Sequence, residues 1–321
     1  MKGRLLPIAV ILVTAVLIPL VITNNYYLHL FNNSMVYLIA VYGLNFITGL
    51  AGQTNLGMAG ILCLGAYTSG ILTVKLGTSA WLGLICAMLM GLLAGVVLGY
   101  PSLRVKGIFL ALTTVGFTET IRIVMNNWVS LTGGALGLKD IPNFFLFGLE
   151  IRDPVHFYYL MLVMSIFFSI IAYRVIHSKW GRAFIAVRDN VEAVELCGIN
   201  LAKLQITAFT LAAVFGSAAG AFYAHSQNYI HPVSFTVDMS ILIVVMMIVG
   251  GAGNMYGCII GSIVITFLPE FLRGLGDYYQ LAYAATAMFF VVFVPGGVVS
   301  IFKRIKVNRA MKNTMKERMK W

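Results

Sequence analysis

The chain has 321 residues, of which 60% are hydrophobic and only 10% are charged. An average soluble domain is nearer half apolar and a quarter charged, so the composition argues against a soluble fold and indicates an integral membrane protein. The net charge of +11 lies in short basic clusters between long apolar runs, without a basic face interleaved with aromatic residues. This placement argues against nucleic-acid binding and is typical of positive loops on the cytoplasmic side of a lipid bilayer.

Several apolar runs reach the roughly 20 residues that a membrane-spanning helix needs. The clear candidates are residues 5–23, 80–99, 108–126, 156–176, 204–225 and 280–301. The first run predicts an uncleaved span, because it is longer than a signal-peptide core and no small-x-small cleavage site follows it. Two further apolar regions, 35–74 and 238–270, are interrupted by glycine-rich breaks at 49–55 and 250–254.

Basic residues orient the predicted spans. Most lysines and arginines lie at 2–4, 104–106, 174–203 and 303–320. If all four clusters face the cytoplasm, both termini are cytoplasmic and each interrupted region crosses twice, as 35–51 with 54–74 and 238–250 with 257–269. The last two segments are short for a full crossing, which leaves re-entrant helices open there. We therefore predict an all-α polytopic membrane protein of about 8–10 transmembrane helices. It forms a single domain over 1–302, followed by a basic cytoplasmic tail over 303–321.

The two breaks share the pattern I-x-G-x-A-G at 47–52 and 248–253, and polar residues follow each of them. Paired glycine-interrupted segments indicate a transport pathway, in which freed backbone groups face water or solute. The alternative is two tight turns near the cytoplasmic surface, with glycine supplying positive φ. The candidate pathway residues of the breaks are Gly49, Gly52, Gln53, Thr54, Asn55, Gly250, Gly253 and Asn254.

Other small residues recur every four positions. Such rows are Ala87, Gly91, Gly95 and Gly99, then Ala212, Gly216, Gly220 and Ala224, and finally Gly257 and Gly261. Rows of this kind let helices approach closely in lipid, so we expect packing within the chain or against another subunit.

Two charged residues, Glu119 and Arg122, lie inside the predicted span 108–126. They are three residues apart and share a helix face. Charges at membrane depth usually face a protein interior or an aqueous cavity. The pair either lines the outer part of a translocation cavity or forms a structural ion pair that locks neighbouring helices.

Residues 177–203 form the largest predicted cytoplasmic segment between spans. Ser178 and Gly198 predict the start and end of one short amphipathic helix, which could be a surface helix at the lipid interface. The run R-D-N-V-E-A-V-E-L-C-G-I-N at 188–200 also resembles the coupling loop of ABC importer permeases. The residues that carry this resemblance are Arg188, Asp189, Asn190, Glu192, Ala193, Glu195, Gly198, Ile199 and Asn200. The sequence departs from the usual motif at Val194, which replaces an alanine, and it lacks the later I-x-L-P element.

A second resemblance covers roughly residues 35–300. The stretch 117–142, with Glu119, Arg122 and the Gly133-Gly134 pair, is similar to LivM-type permeases of branched-chain amino-acid importers. The segment G-L-A-G-Q-T-N-L-G at 49–57 resembles the same family.

This resemblance implies a permease in the bacterial inner membrane that imports aliphatic amino acids. Its partners would be a second homologous permease, two cytoplasmic ABC ATPases and a periplasmic substrate-binding protein. The chain has no G-x-x-x-x-G-K-[ST] motif, so the energy would come from a partner. No H-E-x-x-H or G-x-S-x-G motif is present, and we expect no enzymatic activity, no cofactor and no metal site. The alternatives are a urea or short-amide permease of the same family and an ion-gradient secondary transporter.

Overall fold

The structure is a computed structural model that describes residues 16–19, 24–146, 149–151 and 153–278, with 281, 284–286, 288–289 and 296–297. The predicted spans 5–23 and 280–301 lie largely outside these residues, and the tail 303–321 lies entirely outside them. Within the described part of the chain, eight helices are long and apolar enough to cross a membrane. The predicted all-α polytopic fold is therefore confirmed.

The helices follow one another with short connections, except for the long loop at 133–153. They are α1 (Asn25–Leu44), α2 (Met58–Leu76), α3 (Ala80–Gly99), α4 (Ile108–Asn127), α5 (Val129–Thr132), α6 (Pro154–Ile176), α7 (Lys179–Asp189), α8 (Val191–Leu196), α9 (Leu201–Gln227), α10 (Val237–Gly250) and α11 (Met255–Leu272). A π-helix, Asn45–Leu50, directly continues α1. Two-residue strands, β1 (Phe145–Leu146) and β2 (Leu149–Glu150), pair antiparallel in the loop between α5 and α6.

The centre of the fold is α9, which packs on α1, α2 and α3. An added Cβ at Gly95 would lie 2.5 Å from the Thr210 Cα, and one at Gly216 would lie 2.9 Å from the Ile61 side chain. The small-residue rows of α3 and α9 thus face helices of the same chain. The packing prediction is confirmed for the described residues, and its first alternative, packing within the chain, is the one observed.

Four predicted spans had wrong boundaries. The span predicted as 35–51 begins at Asn25, where the Asn24 side chain caps the helix, and ends at Leu50. The span predicted from residue 54 begins at Met58, because residues 51–57 are irregular and Gly52 has φ +69°. The segments predicted as 238–250 and 257–269 were judged too short. A 3-10 turn at Pro232–Ser234 extends the first to 19 residues, Pro232–Gly250. The second runs over 18 residues, Met255–Leu272, because the Asn254 side chain caps its start and the helix continues past Pro269.

The loops divide between two ends of the helix bundle, as the charge pattern predicts. We call the end that carries Arg104, Lys106 and the segment 177–203 the basic end. The Thr54 hydroxyl donates to the Gly107 carbonyl there, over 2.8 Å. At the opposite end, the Trp81 indole N–H donates to the Phe145 carbonyl over 2.8 Å. The first glycine break therefore lies at the basic end, and the second break contacts it through Asn45.

Candidate functional site

The first break is an ordered change of helix type. The π-helix at Asn45–Leu50 ends in a turn in which the Gln53 amide N–H donates to the Ile47 carbonyl over 3.1 Å. The Asn55 side-chain oxygen then accepts from the Gly57 amide over 2.6 Å, just before α2 begins. Four buried side-chain atoms in this stretch have no hydrogen-bond partner within the described part of the chain. They are Asn45 Nδ2, Thr48 Oγ1, Gln53 Oε1 and Asn55 Nδ2.

The two breaks contact each other. The Gly253 amide N–H donates to the Asn45 side-chain oxygen over 2.7 Å, across 208 residues of sequence. Gly49 permits this approach, because an added Cβ would overlap the Asn45 side chain and lie 2.7 Å from the Gly253 nitrogen. In the second break, Gly251 and Gly253 have φ of +120° and +79°. These conformations favour glycine, as the turn interpretation required.

A residue of the predicted coupling loop contacts the first break. Arg188, on α7, donates from Nη1 to the Gly49 carbonyl over 2.8 Å. Gly52, in the left-handed region, packs against the Arg188 side chain, with 2.8 Å between a built Cβ and the Arg188 Cγ. We call Asn45, Gly49, Gly52, Arg188 and Gly253 the junction. It combines five residues from three separate stretches of the sequence.

The other predicted break residues lie beside the junction. Thr54 bonds to Gly107 at the start of α4. Gly250 packs directly on Gly257 of α11, and the Asn254 side chain accepts from the Tyr256 amide over 3.0 Å to cap that helix.

Glu119 and Arg122 form the predicted ion pair, with 2.7 Å between Arg122 Nη2 and Glu119 Oε2. Their side chains are 34% and 29% exposed. Glu119 is twelve residues beyond Gly107, which is about 18 Å along the helix axis at 1.5 Å per residue. The structure therefore separates the ion pair from the junction.

The helix that carries this pair, α4, is the least buried of the eight candidate spans. Its exposed face mixes apolar residues with small and polar ones, including Leu112, Gly116 and Thr120. The exposed face of α3 is aliphatic instead, with Ile85, Leu89, Leu93 and Val97. An all-aliphatic face suits lipid, whereas a face with glycine, threonine and a flanking ion pair suits protein or water.

The coupling-loop segment contains two helices, so the prediction of one helix between Ser178 and Gly198 was wrong. Ser178 does cap α7, accepting from the Trp180 amide over 3.1 Å. However, Asn190 leaves the helical region at φ −157° and caps a second helix by accepting from the Ala193 amide. Gly198 ends α8 at φ +76°, and Asn200 caps α9. Asparagine competes with the helix backbone for hydrogen bonds, which explains the split.

The tip of this segment is exposed. Leu196 is 90% exposed, and Glu192, Glu195 and Ile199 are also exposed. In contrast, α7 is anchored by the buried side chains of Phe184 and Val187. An open cavity of about 590 Å³ lies between the tip and the loop that precedes α4, lined by Leu103, Lys106, Glu195, Gly198, Ile199, Asn200 and Gln205.

Sequence reasoning missed two residues that matter to this geometry. Asn45 connects the breaks, and a polar residue in an apolar run was the signal that could have found it. His225 is buried, and its ring nitrogens bond to the Ser69 hydroxyl over 2.8 Å and the Pro142 carbonyl over 2.7 Å. These bonds fasten the opposite-end loop to α2 and α9.

Among the described residues, no three or more His, Cys, Asp or Glu side chains are grouped to hold a metal ion.

Multiple apolar spans indicate a polytopic membrane protein, and two contacting helix breaks are typical of transport proteins. Comparison with known proteins identifies the family. The chain belongs to the branched-chain amino acid transport system / permease component family, whose model matches residues 26–294.

Individual relatives agree with this assignment. The high-affinity branched-chain amino acid transport system permease protein LivM of Escherichia coli is 32% identical over 289 residues, covering 83% of this chain and 68% of the relative. The probable LivM protein of Methanocaldococcus jannaschii is 24% identical over 60% of this chain and 55% of its own length. The ribose import permease protein RbsC of Escherichia coli is 23% identical over 91% of this chain and 92% of its own length. No solved structure matches the chain.

Proposed function

We propose that this chain is the transmembrane permease subunit of an ATP-driven importer for branched-chain amino acids. It lies in the bacterial inner membrane with both termini in the cytoplasm, and a periplasmic binding protein delivers the solute. The family and the LivM relatives support the class of substrate. The observation that carries the proposal is the coupling-type segment, which has an exposed tip and contacts the first of the two meeting helix breaks through Arg188.

The tip of this segment is the docking surface for a cytoplasmic ABC ATPase. Leu196 and Ile199 expose apolar area at the tip, which a docked partner would cover. Their acidic neighbours Glu192 and Glu195 surround this apolar area with charge. Arg188, Asp189, Asn190, Ala193, Gly198 and Asn200 shape the two short helices that present it.

The translocation pathway runs along the exposed face of α4, at the boundary with the second, homologous permease. The Glu119–Arg122 pair lines its outer part, since the pair lies far along the helix from the basic end. The residues of the two breaks form its inner end, where four buried side-chain atoms of the first break have no hydrogen-bond partner among the described residues. These residues are Gly49, Gly52, Gln53, Thr54, Asn55, Gly250, Gly253 and Asn254.

The test is affinity purification of the tagged chain from its native membrane, followed by reconstitution of the whole complex into vesicles. We expect a homologous permease and ATPases with phosphate-binding motifs to co-purify. Vesicles supplied with the binding protein should take up leucine when ATP is present inside, and should not take up ribose. A chain that purifies alone and moves leucine with an ion gradient would contradict the proposal.

A variant tests the docking surface separately. Glu195→Lys reverses a charge at the tip without filling space, so the chain should insert normally while leucine uptake falls and ATP hydrolysis becomes uncoupled from it. The control is Lys179→Glu, which also reverses one charge but lies at the start of α7, away from the exposed tip. Unchanged uptake by the Glu195 variant would remove the tip from the docking surface.

A further inference from the structure

We propose that the first glycine break transmits movement of the coupling segment to α4, and that Arg188 is the positioning residue that connects them. This inference rests on the proposed function, and it names the route by which ATPase closure would reach the pathway. The helices that flank the coupling segment, α6 and α9, are the alternative route.

The first step is the contact between α7 and the break. Gly49 is in the last turn of the span formed by α1 and the π-helix, where backbone carbonyls lack helical partners and the helix dipole is negative. The Arg188 guanidinium satisfies the Gly49 carbonyl with a charge-assisted bond of 2.8 Å. Gly52 lets the backbone lie against the Arg188 stem. Displacement of α7 therefore pulls directly on the break.

The second step fastens the break to α4. The Thr54 hydroxyl donates to the Gly107 carbonyl over 2.8 Å, immediately before α4. Two residues later, the Leu56 amide donates to the Thr114 hydroxyl over 3.0 Å. Close backbone packing continues at Gly60, where a built Cβ would lie 2.8 Å from the Thr118 Cα. Residues 54–60 thus hold the first three turns of α4.

The third step follows from the shallow burial of α4. The fully buried side chains of this helix are Leu110, Thr114 and Thr118, and two of these three contact residues 54–60. The helix is also the least buried of the candidate spans in the described chain. A segment that moves with α7 would therefore carry α4 with it. By contrast, α9 is packed on three helices and is poorly suited to move alone.

The first experiment removes the guanidinium with Arg188→Gln in the reconstituted complex. We expect the ATPases to co-purify and to hydrolyse ATP, while leucine taken up per ATP falls about fivefold or more, the lower range of coupling between sites. The matched control is Arg182→Gln on the same helix, because its guanidinium bonds to the His177 carbonyl at the start of that helix. An equal fall in the control, or loss of the ATPases from the Arg188 variant, would overturn the inference.

The second experiment breaks the route at its far end, where no ATPase docks. Thr114→Val removes the acceptor of the Leu56 amide at nearly constant volume, and should also lower uptake per ATP. Thr207→Val is the matched control, since its hydroxyl bonds to the Lys203 carbonyl within its own helix. If both positions act on one route, the Arg188→Gln/Thr114→Val double variant should fall no further than the more affected single variant. Additive losses would indicate separate routes and contradict the inference.

A third readout follows α4 itself. Leu112→Cys places a thiol on the exposed face, in a chain with Cys86→Ser and Cys197→Ser, because the other two cysteines are buried. We expect trapping of the ATPases with ATP and vanadate to change the labelling rate by a membrane-impermeant maleimide, and Arg188→Gln to abolish that change. A change that persists in Arg188→Gln would assign the transmission to other helices. Failure of the proposed function would look different, because the unmodified complex would then show no ATP-dependent leucine uptake.

Discussion

The contact between the two breaks allows a sharp test through Gly49→Ala. The added methyl group would overlap the Asn45 side-chain oxygen and lie 2.7 Å from the Gly253 nitrogen. Since the backbone nitrogen is fixed by its own turn, the Asn45 side chain must move, and the Gly253 amide then loses its acceptor. Overpacking costs about 1–3 kcal/mol. A buried donor left unpaired costs about 1–3 kcal/mol more. We therefore expect a total loss of about 2–6 kcal/mol in stability.

The assay is thermal unfolding of the purified chain in lipid nanodiscs. Unfolding is measured as the loss of the monodisperse peak. A loss of this size should lower the midpoint by about 3 °C or more, from an unfolding entropy of about 2.1 cal/mol/K per residue as in soluble proteins. Gly274→Ala is the control, because no neighbouring atom lies within 4 Å of a Cβ built there. We expect its midpoint to match that of the unmodified chain.

A double variant separates overlap from general damage. Asn45→Ala removes the hydrogen bond but also makes room for the new methyl group. The double variant Gly49→Ala/Asn45→Ala should therefore lose less stability than the sum of the two single losses, because only the 2.7 Å approach to the Gly253 nitrogen remains. If the Gly49→Ala variant unfolds at the same temperature as the unmodified chain, the close approach of the two breaks does not stabilise the junction.

Three further predictions concern positions away from the junction. Gly95→Ala forces α3 and α9 apart, since its Cβ would lie 2.5 Å from the Thr210 Cα. It should lower the unfolding midpoint, whereas Gly116→Ala, which meets no atom within 4 Å, should leave it equal or higher. Glu119→Gln should leave the amount of protein in the membrane unchanged but lower leucine uptake; loss of the protein instead would indicate a structural ion pair. His225→Leu should leave the Pro142 carbonyl without its ring partner, at a cost of about 1–3 kcal/mol, and speed proteolysis of the 128–153 loop. Unchanged proteolysis would show that this contact does not hold the loop.

The local pattern of apolar, glycine and polar residues predicted much of the architecture. Apolar runs near 20 residues predicted the described spans, because lipid offers no hydrogen-bond partners to a backbone that is not helical. The breaks were found for the same reason, since glycines and polar residues interrupt such runs. The residues at which helices begin and end were harder to predict from the sequence. Asn190 divides the coupling segment through a side-chain cap, and His231 helps begin the turn that lengthens the Pro232–Gly250 span.

The site required the tertiary structure. The sequence supplied Gly49, Arg188 and Gly253 as separate candidates, but Arg188 is 139 residues from Gly49, and Gly253 is 208 residues from Asn45. Nothing in local periodicity specifies which helix ends meet, since a row of small residues fits any partner of similar shape. The packing of α9 on α1, α2 and α3 decides which helix ends meet. Close backbone approach between those helices fixes where the first break lies. The sequence alone thus determined which segments cross the membrane and where they are interrupted. Tertiary packing decided that the interruptions meet one another and the coupling segment, because long-range hydrogen bonds form only after the helices have docked.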